Sequence, residues 1–295
     1  MEHPITPFEL IAMVASRLEL PAPPDPATRR LVRACPQAAI LLPSADIHKE
    51  LLTQWKNDRR GADVKFPIDQ DKPDFEKLSR LLPNCWHLQF KFTLAKPVST
   101  QDEDAFGPID NMVRKEPATG IPCVAASSWK GALFAALQRL HPNWINNPPL
   151  RAAGYSLFGR HEAETEGQDH RRGHLIFYST FFDRIGLYAL HPLNRRTKTG
   201  GPGTPILYEV VPREANGWFS LLCCSTADSK TQRRQAGLIS DAVATMLLQT
   251  GFGGKTSSGF GEAEDTIKGS LCVNGKIEPL TSLAALGRLG EQWST

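Results

Sequence analysis

No apolar run in the 295-residue chain approaches the roughly 18–20 residues that a helical membrane span needs, and mean hydropathy is -0.30. The opening Met1-Glu2-His3-Pro4 has no basic stretch, so a secretory leader is not expected. Six cysteines (Cys35, Cys85, Cys123, Cys223, Cys224, Cys272) include no CxxC pair and no histidine at zinc-finger spacing. They read as reduced thiols in a cytoplasmic protein, with no metal site of their own. Charge of one sign is also scarce: 34 Lys+Arg against 31 Asp+Glu leaves +3. Any nucleic-acid contact must therefore come from local basic patches and not from a global field. Internal repeats, low-complexity tracts, a Ser/His/Asp order and paired-carboxylate motifs are missing, and His87, His141, His161, His170, His174 and His191 are scattered.

What is abundant is glycine and proline, 23 of each, in a chain that is 41% hydrophobic and 22% charged. That is a globular composition with many turns. Glycine and proline concentrate in the loops Lys96 to Ala126, Gly200 to Pro205 and Gly251 to Gly261. The first 85 residues read as short helices. Thr6-Pro7-Phe8-Glu9 is a capping box with proline at the first helical position, and Ser44 can cap a helix whose buried face is Ile47, Leu51 and Trp55.

At Trp86 the period changes to two: Trp86, Leu88, Phe90, Phe92 and Leu94 alternate with polar residues, a strand with one buried face. Trp129, Leu133, Leu137 and Leu140 follow at helical spacing, with Ser127 or Ser128 as the expected N-cap. Leu175 to Phe182 reads as one buried strand ending at Asp183. Ile206 to Val211 and Trp218 to Cys223 read as a hairpin region. A helix carrying Ile239, Val243, Met246 and Leu247 then runs into Gly251, and a short strand follows from about Phe260 to Thr266. This β-α-β-β-α-β order predicts an α+β, ferredoxin-like (RRM-like) core at 86–270, an antiparallel sheet with helices on one face. A helical region (1–85) precedes it and a C-terminal tail (271–295) follows.

Two segments carry chemistry. Five glycines in the eleven residues Gly251 to Gly261, interleaved with Lys255, Thr256, Ser257 and Ser258, let backbone N–H groups approach a phosphate backbone closely. The same residues also suit a purely structural turn. A nucleotide-binding P-loop fits poorly, because Gln249 stands where its first glycine belongs and the segment follows a helix. Ser127-Ser128-Trp129-Lys130-Gly131 brings N–H groups, hydroxyls and an ammonium to a helix start, where an anion fits. An ordinary cap followed by a solvated lysine fits it as well.

Together the two segments resemble the motifs of the RAMP superfamily of CRISPR-associated proteins. Ile121 to Leu133 is similar to that family's "IPGSSxKGxLR", and Gly251 to Gly261 to its terminal glycine-rich loop. Ala125-Ala126 replace the usual Pro-Gly, and Phe134 stands where arginine is common, which removes one phosphate contact. Ile109-Asp110-Asn111, Arg114 and Gly120 are similar to the "IDNPVxRDxxxGxP" stretch of type III backbone subunits. Phe181-Phe182-Asp183, His191 to Asn194 and Pro205 to Pro212 resemble the "FFDA…NPH…P…VP" stretch of the terminal, capping subunit of the Cmr-type III-B complex. The helical region ahead of the first strand fits the cap too.

The resemblance implies a subunit that holds guide RNA near its 3′ part and contributes to target-RNA recognition, with backbone, small and large effector subunits as partners. Base pairing would read sequence while the protein reads backbone and shape. The implied RNA contacts are Asn111, Arg114, Ser127, Ser128, Lys130, Gly131 and Gly253 to Ser258, joined by the basic loop residues Arg195, Arg196 and Lys198. Asp110 matches the aspartate with which backbone subunits cut target RNA, where a carboxylate helps a 2′-OH attack and Mg²⁺ would be the only cofactor. An Asp before Asn in a Pro/Gly-rich loop is equally an ordinary turn residue. A backbone subunit cutting through Asp110 is one alternative. A repeat-RNA-processing endoribonuclease, which shares the glycine loop, is another.

Overall fold

A computed structural model describes residues 64–66, 68, 72–75, 77–78, 85–100, 111–117, 119–159, 172–190 and 206–294. The helices expected around Thr6 and Ser44 lie outside the described residues. In chain order the strands and helices are β1 (Val64–Lys65), β2 (Cys85–Leu94), β3 (Cys123–Val124), α1 (Ala126–Leu140), α2 (Pro148–Phe158), β4 (Leu175–Phe177), β5 (Thr180–Phe181), β6 (Arg184–Leu190), β7 (Ile206–Val210), β8 (Asn216–Cys224), α3 (Ser229–Thr245), β9 (Ala263–Val273), β10 (Lys276–Ser282) and α4 (Leu283–Ser294).

The main sheet has five strands in the order β10-β9-β2-β8-β4, with every pairing antiparallel. Four of these strands, β9, β2, β8 and β4, with α1 between β2 and β4 and α3 between β8 and β9 in the chain, form the ferredoxin-like β-α-β-β-α-β core. The alternation in β2 is what builds it: Trp86, Leu88, Phe90, Phe92 and Leu94 are all buried to 1% exposure or less. Phe90 stands opposite Phe219 of β8 and stacks on it at 5.3 Å. Opposite Phe90 on β9 is Gly269, where a Cβ would meet Gln89 O at 2.1 Å. A side chain there would push β2 and β9 apart. α1 covers this face with Trp129, whose ring centroid lies 5.1 Å from Phe219. α3 packs on α1 and on α4.

The other face of the sheet is partly covered by the described part of residues 66–78. Phe75 sits 4.8 Å from the His87 ring, and Gln89 Nε2 donates to Pro73 O at 2.9 Å. Burial holds the His87 imidazole below its ordinary pKa. Asp74 accepts the Lys77 amide at 3.1 Å on its side chain.

Four expectations change. Leu175 to Phe182 is not one strand: β4 pairs with β8, the chain breaks at Tyr178–Ser179, and β5 pairs with β3. Ile206 to Val211 and Trp218 to Cys223 do not form a hairpin, because β7 pairs with β6 in a separate three-stranded sheet, β1-β6-β7, while β8 lies at the heart of the main sheet. The strand expected at Phe260 to Thr266 is the longer β9. Residues after 270 add β10 and α4, with Leu280, Leu283 and Leu286 buried. By its internal contacts the chain divides into two units, one of residues 1–64, 101–113 and 185–210, the other of 65–100, 114–184 and 211–295. The larger unit contains the five-stranded sheet.

Candidate functional site

The Ser127-Ser128-Trp129-Lys130-Gly131 segment forms the first turns of α1. The N-cap is Ala125 and not Ser127 or Ser128, and no side chain caps the helix. Both serines therefore stand inside the first turn, exposed, beside backbone N–H groups that an α-helix start leaves without intrahelical partners. Lys130 and Gly131 are exposed too. The buried residue of the segment is Trp129, 1% exposed, whose Nε1 donates to Thr180 Oγ1 at 2.9 Å. The threonine hydroxyl donates in turn to Trp218 O at 2.8 Å, so the indole is locked to β8 through β5.

The glycine loop leaves α3 through a π-helical turn, Met246–Thr250, and ends at β9. Its fold depends on left-handed backbone: φ is +72° at Gly251, +80° at Gly253, Gly259 and Gly261, and +61° at Lys255. At Gly261 a Cβ would lie 2.0 Å from Phe252 O, so only glycine fits. Phe252 N–H donates to Gly261 O at 3.1 Å and closes the loop on itself. Gly253, Gly254, Lys255, Ser257 and Ser258 are exposed, Thr256 and Gly259 are half-buried, and Thr256–Ser258 make one 3₁₀ turn.

Phe252 points inward, and its ring lies 4.4 Å from that of Trp129, the planes inclined at 36°. Phe92 joins both, at 6.4 Å from Trp129 and 6.2 Å from Phe252. Two segments more than a hundred residues apart thus share one aromatic cluster, each presenting its polar residues outward.

A third strip, Lys96 to Thr100, is a seat for both; the sequence marks it only as the start of the Gly/Pro-containing loop from Lys96 to Ala126. Pro97 O accepts the Gly261 amide at 2.9 Å and Ser99 O accepts the Gly254 amide at 2.6 Å. Thr100 receives the Arg114 amide on its carbonyl at 3.2 Å and on Oγ1 at 2.9 Å. Arg114 O in turn accepts the Cys123 amide at 2.9 Å, just ahead of α1. Arg114 is itself exposed. The signal for this strip would have been the Lys-Pro-Val-Ser-Thr run directly after the alternating strand.

Asn111 is half-buried, and its carbonyl accepts the Glu209 amide at 2.8 Å within the smaller unit. Asp110, Arg195, Arg196 and Lys198 lie outside the described residues. Among the described residues no group of three or more His, Cys, Asp or Glu could hold a metal ion, and no helix is long and apolar enough to cross a membrane.

The sequence matches the model of the RAMP superfamily over residues 61–264, more than half of the chain. The chain belongs to the RAMP superfamily. The match ends inside β9 and takes in both segments of the site. No curated protein matches. Among solved structures, this RAMP protein is similar to a chain of the type III-B Cmr-beta complex bound to cognate target RNA, solved by cryo-electron microscopy. That similarity has a TM-score of 0.56 at 14% identity, covering 80% of this chain and 75% of the other. A chain of Cmr-beta in its apo state matches with a TM-score of 0.45 at 11% identity, covering 68% of this chain and 99% of the other.

The described cysteines, Cys85, Cys123, Cys223, Cys224 and Cys272, are not joined in disulfides. Burial, with Cys224 beside it, pushes the Cys85 thiol up to about 12, and Cys223 to about 12 for the same reasons. Neither has the thiolate character that a nucleophile needs.

Proposed function

We infer that this protein is an RNA-binding subunit of a type III CRISPR effector ribonucleoprotein, holding guide RNA by its backbone and taking part in target-RNA recognition. The observation that carries the reading is the shared anchoring of α1's first turn and the glycine loop on the Trp129–Phe252 contact. It fixes hydroxyls, backbone N–H groups, Lys130 and Lys255 on one body, the set a phosphodiester chain needs and one that reads no base. The fold shared with a chain of a Cmr-beta complex bound to target RNA supports this assignment.

The place in the assembly is the terminal, capping position at the guide's 3′ part. The sequence around Phe181-Phe182-Asp183 and the long region ahead of β2 support it. Backbone, small and large effector subunits are the neighbours. Arg195, Arg196 and Lys198 supply further cationic contacts to the RNA.

Purification of the ribonucleoprotein from cells that express the whole effector tests the reading. Guide RNA co-purifies with this chain, present in one copy per complex. Several copies per complex would overturn the capping position, and a complex whose RNA never crosslinks to this chain would overturn RNA binding.

A further inference from the structure

Glu262, directly after the glycine loop, is a carboxylate where a phosphate-binding loop should have none. Its Oε2 lies 2.7 Å from Lys96 Nζ, and its carbonyl accepts the amides of Ala95 at 3.0 Å and Lys96 at 3.2 Å. Backbone and side chains thus hold the pair in register. The Lys96 ammonium also lies 3.5 Å from the point where a Cβ on Gly259 would sit, against the loop itself. Lys96 is 46% exposed and Glu262 25%, so the ion pair is partly open to solvent.

We propose that Lys96 is a phosphate-binding residue of the glycine loop, and that Glu262 occupies the place of the phosphate until RNA displaces it. The proposal rests on the RNA-binding reading. An exposed pair of this kind is worth little in water, so a phosphate already drawn to the loop exchanges for the carboxylate at small cost. Glu262 keeps the ammonium aimed at the loop without RNA and makes occupancy conditional on a strand long enough to gain contacts elsewhere. The exchange releases one counterion from the phosphate and lets Glu262 take one up, so this contact adds nothing to the salt dependence of the wild type.

Binding of a single-stranded guide-length RNA to the full chain, titrated across salt concentrations, tests this with Glu262→Gln, Lys96→Met, the double variant and Lys130→Ala. Glu262→Gln should bind roughly two- to fivefold tighter, the scale of one exposed ion pair. It should also steepen the salt slope by about 0.7, one phosphate neutralised without compensation. In the Lys96→Met background the steepening disappears. No change in Glu262→Gln, or steepening that persists without Lys96, overturns the proposal while Lys130→Ala still flattens the slope. An unaltered slope in Lys130→Ala would overturn the RNA-binding reading instead.

Discussion

Trp129 and Phe252 lie with ring centroids 4.4 Å apart, and this contact joins the start of α1 to the glycine loop. Because Trp129 is also hydrogen-bonded to Thr180, the indole fixes position as well as filling volume. Trp129→Ala should cost about 3–5 kcal/mol, the usual range for removing a large buried aromatic. Trp129→Phe keeps most of the packing and gives up the hydrogen bond, costing about 1–3 kcal/mol. Urea denaturation monitored by circular dichroism measures both. If the two variants prove equally stable, the contact is not what holds the segments together.

Gly261 and Gly275 share a left-handed backbone, with φ of +80° and +74°. A Cβ at Gly261 meets Phe252 O at 2.0 Å, whereas nothing lies within 4 Å at Gly275. Gly275→Ala should therefore cost only the conformational penalty, about 1–2 kcal/mol. Gly261→Ala should cost clearly more and abolish RNA binding by displacing the loop. Thermal melts of the pair make the comparison.

Gly131 lies in α1 with nothing within 4 Å of its Cβ position. Alanine there should stabilise the protein by about 1 kcal/mol through helix propensity. The same variant should weaken RNA binding, since the glycine leaves room for a phosphate backbone to approach the helix start. A Gly131→Ala protein that is more stable and binds RNA normally would remove Gly131 from the interface.

Asp183 ends the Phe-Phe-Asp run and serves the fold. Its carboxylate accepts the Asn216 amide at 2.7 Å and Asn216 Nδ2 at 2.8 Å, and Thr93 Oγ1 donates to Asn216 Oδ1 at 3.0 Å. Asp183→Ala should destabilise by about 1.5–3 kcal/mol, the range for hydrogen bonds to a charged group. The salt slope of RNA binding should stay unchanged.

Asp228 caps α3, accepting the amides of Lys230 at 2.9 Å and Thr231 at 3.0 Å and the Thr231 hydroxyl at 2.8 Å. Hydrogen bonds from Thr231, foremost its backbone amide, hold the carboxyl below its ordinary pKa. The contribution is therefore fully present above the unfolded carboxyl's pKa, about 4, and is lost as pH falls through the lower folded value. Asp228→Asn should melt below the wild type at neutral pH and converge with it in acid.

Period and spacing made the core legible. The alternation from Trp86 to Leu94 marked the central strand, and the stripe Trp129, Leu133, Leu137 marked the buried face of α1. Strand partners were less legible, because β-rich runs such as Ile206–Val210 carry no label for the sheet they join, and β7 pairs with β6 at a register set by tertiary contacts. The cap of α1 was misread for a related reason: serines in a helix-start motif suggest capping, yet Ala125 takes that place and leaves both hydroxyls exposed for another use. Lys96 to Thr100 was hard to read as a site because its contacts to the glycine loop are made largely by backbone carbonyls, which every residue has. Glu262 looks like any strand-edge carboxylate in the sequence, and only its ion pair with Lys96 sets it apart.

The central claim is that α1's first turn and the glycine loop hold an RNA backbone together. The most direct measurement is the salt dependence of affinity for unrelated single-stranded RNA sequences, in the wild type and in Lys130→Ala, Lys255→Ala and their double variant. Each single variant should flatten the slope by about 0.7 and the double by about 1.4, as expected when each lysine neutralises one phosphate. The effect should be the same for every sequence. Slopes identical to the wild type in both single variants would contradict the account.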